Sequence, residues 1–256
     1  MKPEKALTDL SGKVVTITGG SRGIGKELAL AFSRCGANVV IASRKKENCE
    51  ALAQHINETF GTEALPVSCH VGQWDQCEEL FSTVYSHFGK CDVLINNAGM
   101  SPLYKSLTEL SQELFDKVLN VNLRGPFRLS ALFGQQMVND EKGSIINVSS
   151  IAAAQPSPYE VPYGAAKAGL HSLTKSFSKA FAPHVRVNCI MPGPFLTDIS
   201  DAWSEATLAS LQNLPLGRGG KPDEIVGAAL YFASEASSFT TGAVLKIDGG
   251  AIASTS

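Results

Sequence analysis

The 256 residues carry 22 basic and 24 acidic side chains, a formal net charge of −2 without long single-sign runs, which excludes an electrostatic footprint for nucleic acid. With 44% hydrophobic and 18% charged residues the chain is no disordered tract, and one globular domain spanning residues 1–256 is expected at this length. The opening MKPEKALTDLSG lacks the apolar stretch of a secretory signal, and no run approaches the roughly 20 residues that span a bilayer, so a cytosolic protein fits best and an organelle lumen is compatible.

From residue 13 onward, apolar strand-like runs alternate with helix-period segments, the signature of βαβ units. The expected strands are Val14–Thr18, Asn38–Ala42, Ala64–Cys69, Val93–Asn96, Ser144–Ser149, Val185–Met191 and Ala243–Ile247. Helices are expected near 24–35, 46–59, 73–88, 109–138, 162–181 and 222–233, with shorter pieces around 200–213. Near-continuous apolar strands imply burial on both faces, and right-handed crossovers put helices on both sides. The fold class is therefore α/β: a doubly wound, mostly parallel, seven-stranded sheet in three layers, Rossmann-like, binding its ligand beyond the carboxyl ends of the strands.

The first strand runs directly into Thr18-Gly19-Gly20-Ser21-Arg22-Gly23-Ile24-Gly25, and an amphipathic helix follows. Glycines there allow a sharp turn and let a pyrophosphate approach the positive end of the helix. Gly20 to Lys26 also satisfies most of a P-loop pattern, but Glu27 stands where Ser or Thr would hold magnesium, so triphosphate hydrolysis falls behind dinucleotide binding. The second strand ends Ile41-Ala42-Ser43-Arg44, with no acid for the ribose hydroxyls. Ser43 and Arg44, with Arg22 as a second cation, suit a 2′-phosphate and predict NADP(H) over NAD(H).

Tyr163 and Lys167 are four residues apart, on one face of an expected helix. An ammonium beside a phenol lowers its pKa toward useful acid–base chemistry, although the same spacing is common on solvated helix faces. Ser149-Ser150 ends the fifth apolar strand at the ligand-binding rim, and local sequence leaves open which serine points inward. Asn122 falls in the long expected helix, where an amide is a mediocre helix former and serves a water or backbone contact.

Taken in order, the glycine loop Thr18–Gly25, Asn96-Asn97-Ala98-Gly99, Ser150, Tyr163 and Lys167, Pro192-Gly193 and Asp248-Gly249-Gly250 resemble the single-domain short-chain dehydrogenase/reductases over nearly the whole chain. The resemblance implies a catalytic tetrad of Asn122, Ser150, Tyr163 and Lys167. Tyr163 would protonate the nascent alkoxide, Lys167 would hold the nicotinamide ribose and tune Tyr163, Ser150 would orient the carbonyl, and Asn122 would hold a relay water. Gly19, Ser21, Arg22, Gly23, Ile24, Gly25, Ser43 and Arg44 would bind the cofactor together with Asn97, Ala98 and Gly99 on the adenosine side, and Tyr163 and Lys167 would also contact it. Pro192, Gly193 and Thr197 would lie near the carboxamide. A homotetramer is also implied.

The chain departs from the family at His70, where an aspartate often contacts the adenine. His70 is not expected to bind metal, since the five histidines include no HExxH arrangement, and the six cysteines form no CxxC pair, so reduced thiols and no metal site are expected. Residues 194–216 mix Phe195, Leu196, Ile199 and Trp203 with small polar residues and read as a lid over the substrate, or as a surface helix packed permanently on the core. No charged substrate anchor is legible, which favours a neutral ketone or aldehyde, with carbonyl and 3-oxoacyl reduction both open. The reading from another class is a dinucleotide-binding regulator without turnover.

Overall fold

All seven apolar runs become strands: β1 (Val14–Thr18), β2 (Asn38–Ser43), β3 (Ala64–Ser68), β4 (Val93–Asn96), β5 (Gly143–Val148), β6 (Val185–Pro192) and β7 (Val244–Ile247). The structure, a computed structural model, describes residues 9–198, 200 and 203–252. Each neighbouring pair is parallel, in the order β3-β2-β1-β4-β5-β6-β7. The order reverses between β1 and β4, and there the chain connections leave toward opposite faces and open a crevice beyond the strand ends.

Alternation along the strands divides the core in two. Val15, Ile17, Ile95 and Ile190 pack against Leu28 and Phe32 of α1 (Gly23–Arg34) and Phe232 of α8 (Val226–Ala233). Val14, Val40, Leu94 and Val187 face the other way, onto Leu80 of α3 (Trp74–Phe88) and Phe133 and Met137 of α5 (Gly125–Asn139). The other helices are α2 (Lys46–Phe60), α4 (Gln112–Leu119), α6 (Val161–Ala180) and α7 (Glu205–Ser210).

A single helix over 109–138 is not what forms. α4 ends at Leu119, a π-helical turn occupies Asn120–Arg124, and α5 begins at Gly125. Pro126 stands in the first turn of α5. It has no N–H to give the carbonyl of Asn122 four residues earlier, so the α ladder breaks there.

A buried polar chain holds α6 on the sheet. Asn96 Nδ2 donates to Asn147 Oδ1 and to Ser130 Oγ, each at 2.9 Å, and Asn147 Nδ2 donates to Thr174 Oγ1 at 2.9 Å. These buried donors favour one arrangement because a slip would leave the two Nδ2 groups unpaired. The result is that the first turn of α6 is placed over the end of β5.

Candidate active site

A cleft of about 690 Å³ opens at the carboxyl ends of the strands. Gly19 turns the chain at φ +62°, and a Cβ there would lie 2.9 Å from Ala98 Cα. A Cβ on Gly25 would lie 2.1 Å from the Gly19 carbonyl oxygen, so only glycine lets α1 start this close to the loop. Arg22, at the N-cap, makes no side-chain cap, and the first-turn amides of α1 remain for an anion. A dinucleotide pyrophosphate fits this cradle.

Ser21 and Ser43 are 2.8 Å apart between hydroxyl oxygens, joining the glycine loop to the end of β2. Arg44 follows on the cleft wall. Arg22 is drawn across the cleft to Asp198, at 3.5 Å, with both side chains half exposed. A pair this exposed is worth about 1 kcal/mol or less and exchanges readily for a phosphate. Asn97 Nδ2 donates to the carbonyls of Thr18 and Gly19 at 2.9 and 3.2 Å, so its side chain braces the loop.

Ser150, Tyr163 and Lys167 line the same cleft. The structure separates the two serines: Ser149 Oγ is buried and donates to the Lys167 carbonyl, whereas Ser150 Oγ accepts from Ala152 N and Ser150 lines the cleft with Tyr163. Burial pushes the Tyr163 phenol up to about 12; the Ser150 hydrogen bond pulls it down and the Glu160 charge pushes it further up. Burial likewise brings the Lys167 ammonium down to about 8. Lys167 Nζ donates to the Val148 carbonyl at 2.8 Å and stands 5.6 Å from the centre of the Tyr163 ring. The expected lowering of the phenol pKa by Lys167 is therefore not a property of the protein alone, because desolvation outweighs an ammonium that faces the ring.

Asn122 is wholly buried and does not line the cleft. Its Nδ2 donates to the carbonyls of Met100 and Val118, and its Oδ1 accepts from Met100 N. The side chain is a strut that fixes the chain after β4, while its backbone carbonyl is the one Pro126 deprives of a helical donor.

A sequence model for the family described as Enoyl-(Acyl carrier protein) reductase matches residues 19–251. The 3-oxoacyl-(acyl-carrier-protein) reductase FabG of Thermotoga maritima is 38% identical over 245 residues, 95% of this chain and 99% of that one. The chain belongs to the short-chain dehydrogenase/reductase family. A short-chain type dehydrogenase/reductase from Mycobacterium marinum superposes with a TM-score of 0.93 at 33% identity, covering 99% of this chain and 100% of that one. The NADPH-dependent 3-quinuclidinone reductase of Rhodotorula rubra gives 0.91 at 30% identity, covering 96% and 93%.

All sixteen expected cofactor residues of this dehydrogenase/reductase line the one cleft: Gly19, Ser21, Arg22, Gly23, Ile24, Gly25, Ser43, Arg44, Asn97, Ala98, Gly99, Tyr163, Lys167, Pro192, Gly193 and Thr197. Sequence reasoning missed Lys45 and Asn48 beside Arg44, and Ser101, Tyr159 and Glu160 on the opposite wall. Lys45 and Asn48 had a signal, their proximity to Arg44. Ser101 and Glu160 had none, since 59 positions separate them and only the sheet brings them together. His70 lines the cleft with its ring Nδ1 accepting from Gly72 N, and burial lowers its pKa. Of the lid segment, Ile199 lies outside the described residues, and Thr197 and Trp203 reach the cleft. Among the described residues no helix is long and apolar enough to cross a membrane.

Proposed function

We propose that this dehydrogenase/reductase is NADP(H)-dependent and interconverts a ketone and a secondary alcohol through Tyr163. The observation carrying this reading is the meeting of Ser150, Tyr163 and Lys167 in one cleft with the glycine loop of α1. The glycine loop and α1 would hold a nicotinamide dinucleotide, which would supply the hydride for the carbonyl carbon or accept it in the reverse direction. Ser150, its oxygen engaged by Ala152 N, directs its proton to the substrate oxygen and orients the carbonyl. Tyr163, held protonated at neutral pH, transfers its proton to that oxygen as the alcohol forms. Lys167 holds a ribose hydroxyl and stabilises the phenolate left behind, and Asn122 offers its backbone carbonyl to a relay water.

Preference for NADP(H) is supported by Ser43 and Arg44 at the end of β2, where a carboxylate would repel a 2′-phosphate. It is also supported by the NADPH dependence in the description of the Rhodotorula rubra relative. The Thermotoga maritima relative supports 3-oxoacyl compounds among the ketones to be tried first. We further read the chain as a cytosolic homotetramer subunit, the fully exposed Phe239 and the half-exposed Leu245 of the edge strand β7 being apolar surface for a second copy.

The test is a ketone and 3-oxoacyl panel followed by nicotinamide absorbance with each cofactor. Tyr163→Phe is expected to lower turnover by about 10²–10⁴-fold while NADPH still binds. Turnover in Tyr163→Phe equal to that of the unmodified protein overturns the assignment, and a protein that binds NADPH but turns over no compound is the regulator instead.

A further inference from the structure

Resting on the ketone-reductase reading above, we infer that Glu160 is a substrate-recognition residue and that the preferred ketone carries a positive charge beyond its carbonyl. The wall of the cleft facing away from β2 is built from two chain segments, Met100–Leu103 after β4 and Tyr159–Tyr163 at the start of α6. Tyr104 clamps them together: its hydroxyl donates to the Pro158 carbonyl and accepts from Val161 N, each at 2.9 Å. Glu160 lies between these two bonds, so its backbone is held from both sides.

Glu160 occupies the N-cap position of α6, where a carboxylate ordinarily accepts first-turn amides, yet it makes no side-chain cap. Glu160 and Ser101 instead line the cleft together, where burial raises the carboxyl pKa and the Ser101 hydroxyl favours the charged form. With no first-turn amide engaged, the acceptor capacity of the carboxylate is left for a ligand. The charge acts where the chemistry is, since it is felt at the Tyr163 phenol.

The other charged side chains of the cleft are committed elsewhere. Arg44 and Lys45 stand at the end of β2, Arg22 and Asp198 pair with each other, and Lys167 is bonded to the Val148 carbonyl. On the substrate wall the negative charge of Glu160 is accompanied by the aromatic rings of Tyr159 and Trp203, which line the same cleft. A carboxylate with aromatic faces is the chemistry that recognises an ammonium and rejects an acid. The substrate class this selects is an amino ketone, and a 2-oxo acid is disfavoured.

Two ketones of the same shape isolate the charge: 1,1-dimethyl-4-oxopiperidinium, permanently cationic, and 4,4-dimethylcyclohexanone, its neutral carbon counterpart. Their kcat/KM ratio is measured with NADPH in the full-length protein and in Glu160→Gln, so that the intrinsic reactivity of each carbonyl cancels. The ratio of cation to neutral is expected to fall by about tenfold or more in Glu160→Gln, mainly through KM of the cation. Ser101→Ala, which keeps the carboxylate, is expected to retain the preference, and NADPH binding reports that both variants are folded. A ratio that changes by less than about twofold on removing the charge overturns the role of Glu160 while the reductase reading stands. If the unmodified protein reduces neither these ketones nor any other in the panel, both readings fail together.

Discussion

Lys167 is hydrogen-bonded to the strand end and not to the Tyr163 phenol: the ammonium donates to the Val148 carbonyl at 2.8 Å and stands 5.6 Å from the centre of the aromatic ring. The pair chosen by sequence spacing is thus assembled with Lys167 buried and Tyr163 on the cleft wall. That placement sets the cost of keeping them.

Replacing Lys167 by Met is expected to stabilise the fold while removing activity. The ammonium titrates at about 8 in the folded chain against 10.5 when solvated, so folding is opposed by the buried charge at pH 7. The folded state binds fewer protons between these values, and stability therefore rises as pH increases from 8 toward 10.5. A difference of this size corresponds to about 3 kcal/mol, reduced by about 1 kcal/mol for the lost hydrogen bond to Val148. Thermal unfolding at pH 7 should show a gain in Lys167→Met that shrinks as the pH is raised.

The pH profiles of the two directions should be opposite. A phenol pushed up to about 12 by burial stays protonated through neutrality, so reduction should be level near pH 7 and decline only in alkali. Alcohol oxidation needs the phenolate and should climb with pH. Because the Glu160 charge raises the phenol pKa, Glu160→Gln should move both profiles to lower pH. Rates measured in both directions check this, and a movement to higher pH would contradict the geometry.

Ser43 and Ser21 meet at 2.8 Å where the glycine loop joins the end of β2. Ser43→Asp is expected to lower kcat/KM for NADPH by about 10–100-fold and to raise the NADH to NADPH ratio, since it adds a charge that repels phosphate and accepts ribose hydroxyls. Arg44→Ala should lower the NADPH value alone. Equal losses with both cofactors in either variant would remove the basis for NADP(H) selection.

Asn122→Ala is expected to cost stability as well as turnover. Three hydrogen bonds tie this buried amide to Met100 and Val118, and leaving their backbone partners unsatisfied costs about 2–3 kcal/mol. Asn122→Asp, which keeps one acceptor, should recover little because a buried carboxylate cannot donate to the two carbonyls. Denaturant unfolding distinguishes this from a residue serving only a water.

Of the lid expected at 194–216, we propose that the described helix α7 moves over the substrate. The segment is clipped at its base by Leu196 N to Gly220 O and Gly220 N to Pro194 O, while α7 within it buries none of its side chains. Amide exchange in α7 is expected to slow on adding NADPH. Strong, uniform protection with and without cofactor would identify it as a permanently packed helix.

The alternation of Val15 and Ile17 with Val14, and the glycines at 19, 23 and 25 after a strand, determined the sheet, its two buried faces and the position of the nucleotide cradle from local pattern alone. Hydrophobic period and turn chemistry are properties of neighbouring residues, and they are legible wherever the partners lie within a few positions. Even the break at Asn120–Arg124 had its signal in Pro126. What only the tertiary structure decided are the relations between distant segments: which of Ser149 and Ser150 enters the cleft, that Lys167 faces a ring, that Asn122 braces Met100, and that Glu160 meets Ser101. Each depends on how far a side chain stands from a group brought up by another strand, and on how much water the packing removes, quantities that come into being only when the sheet closes.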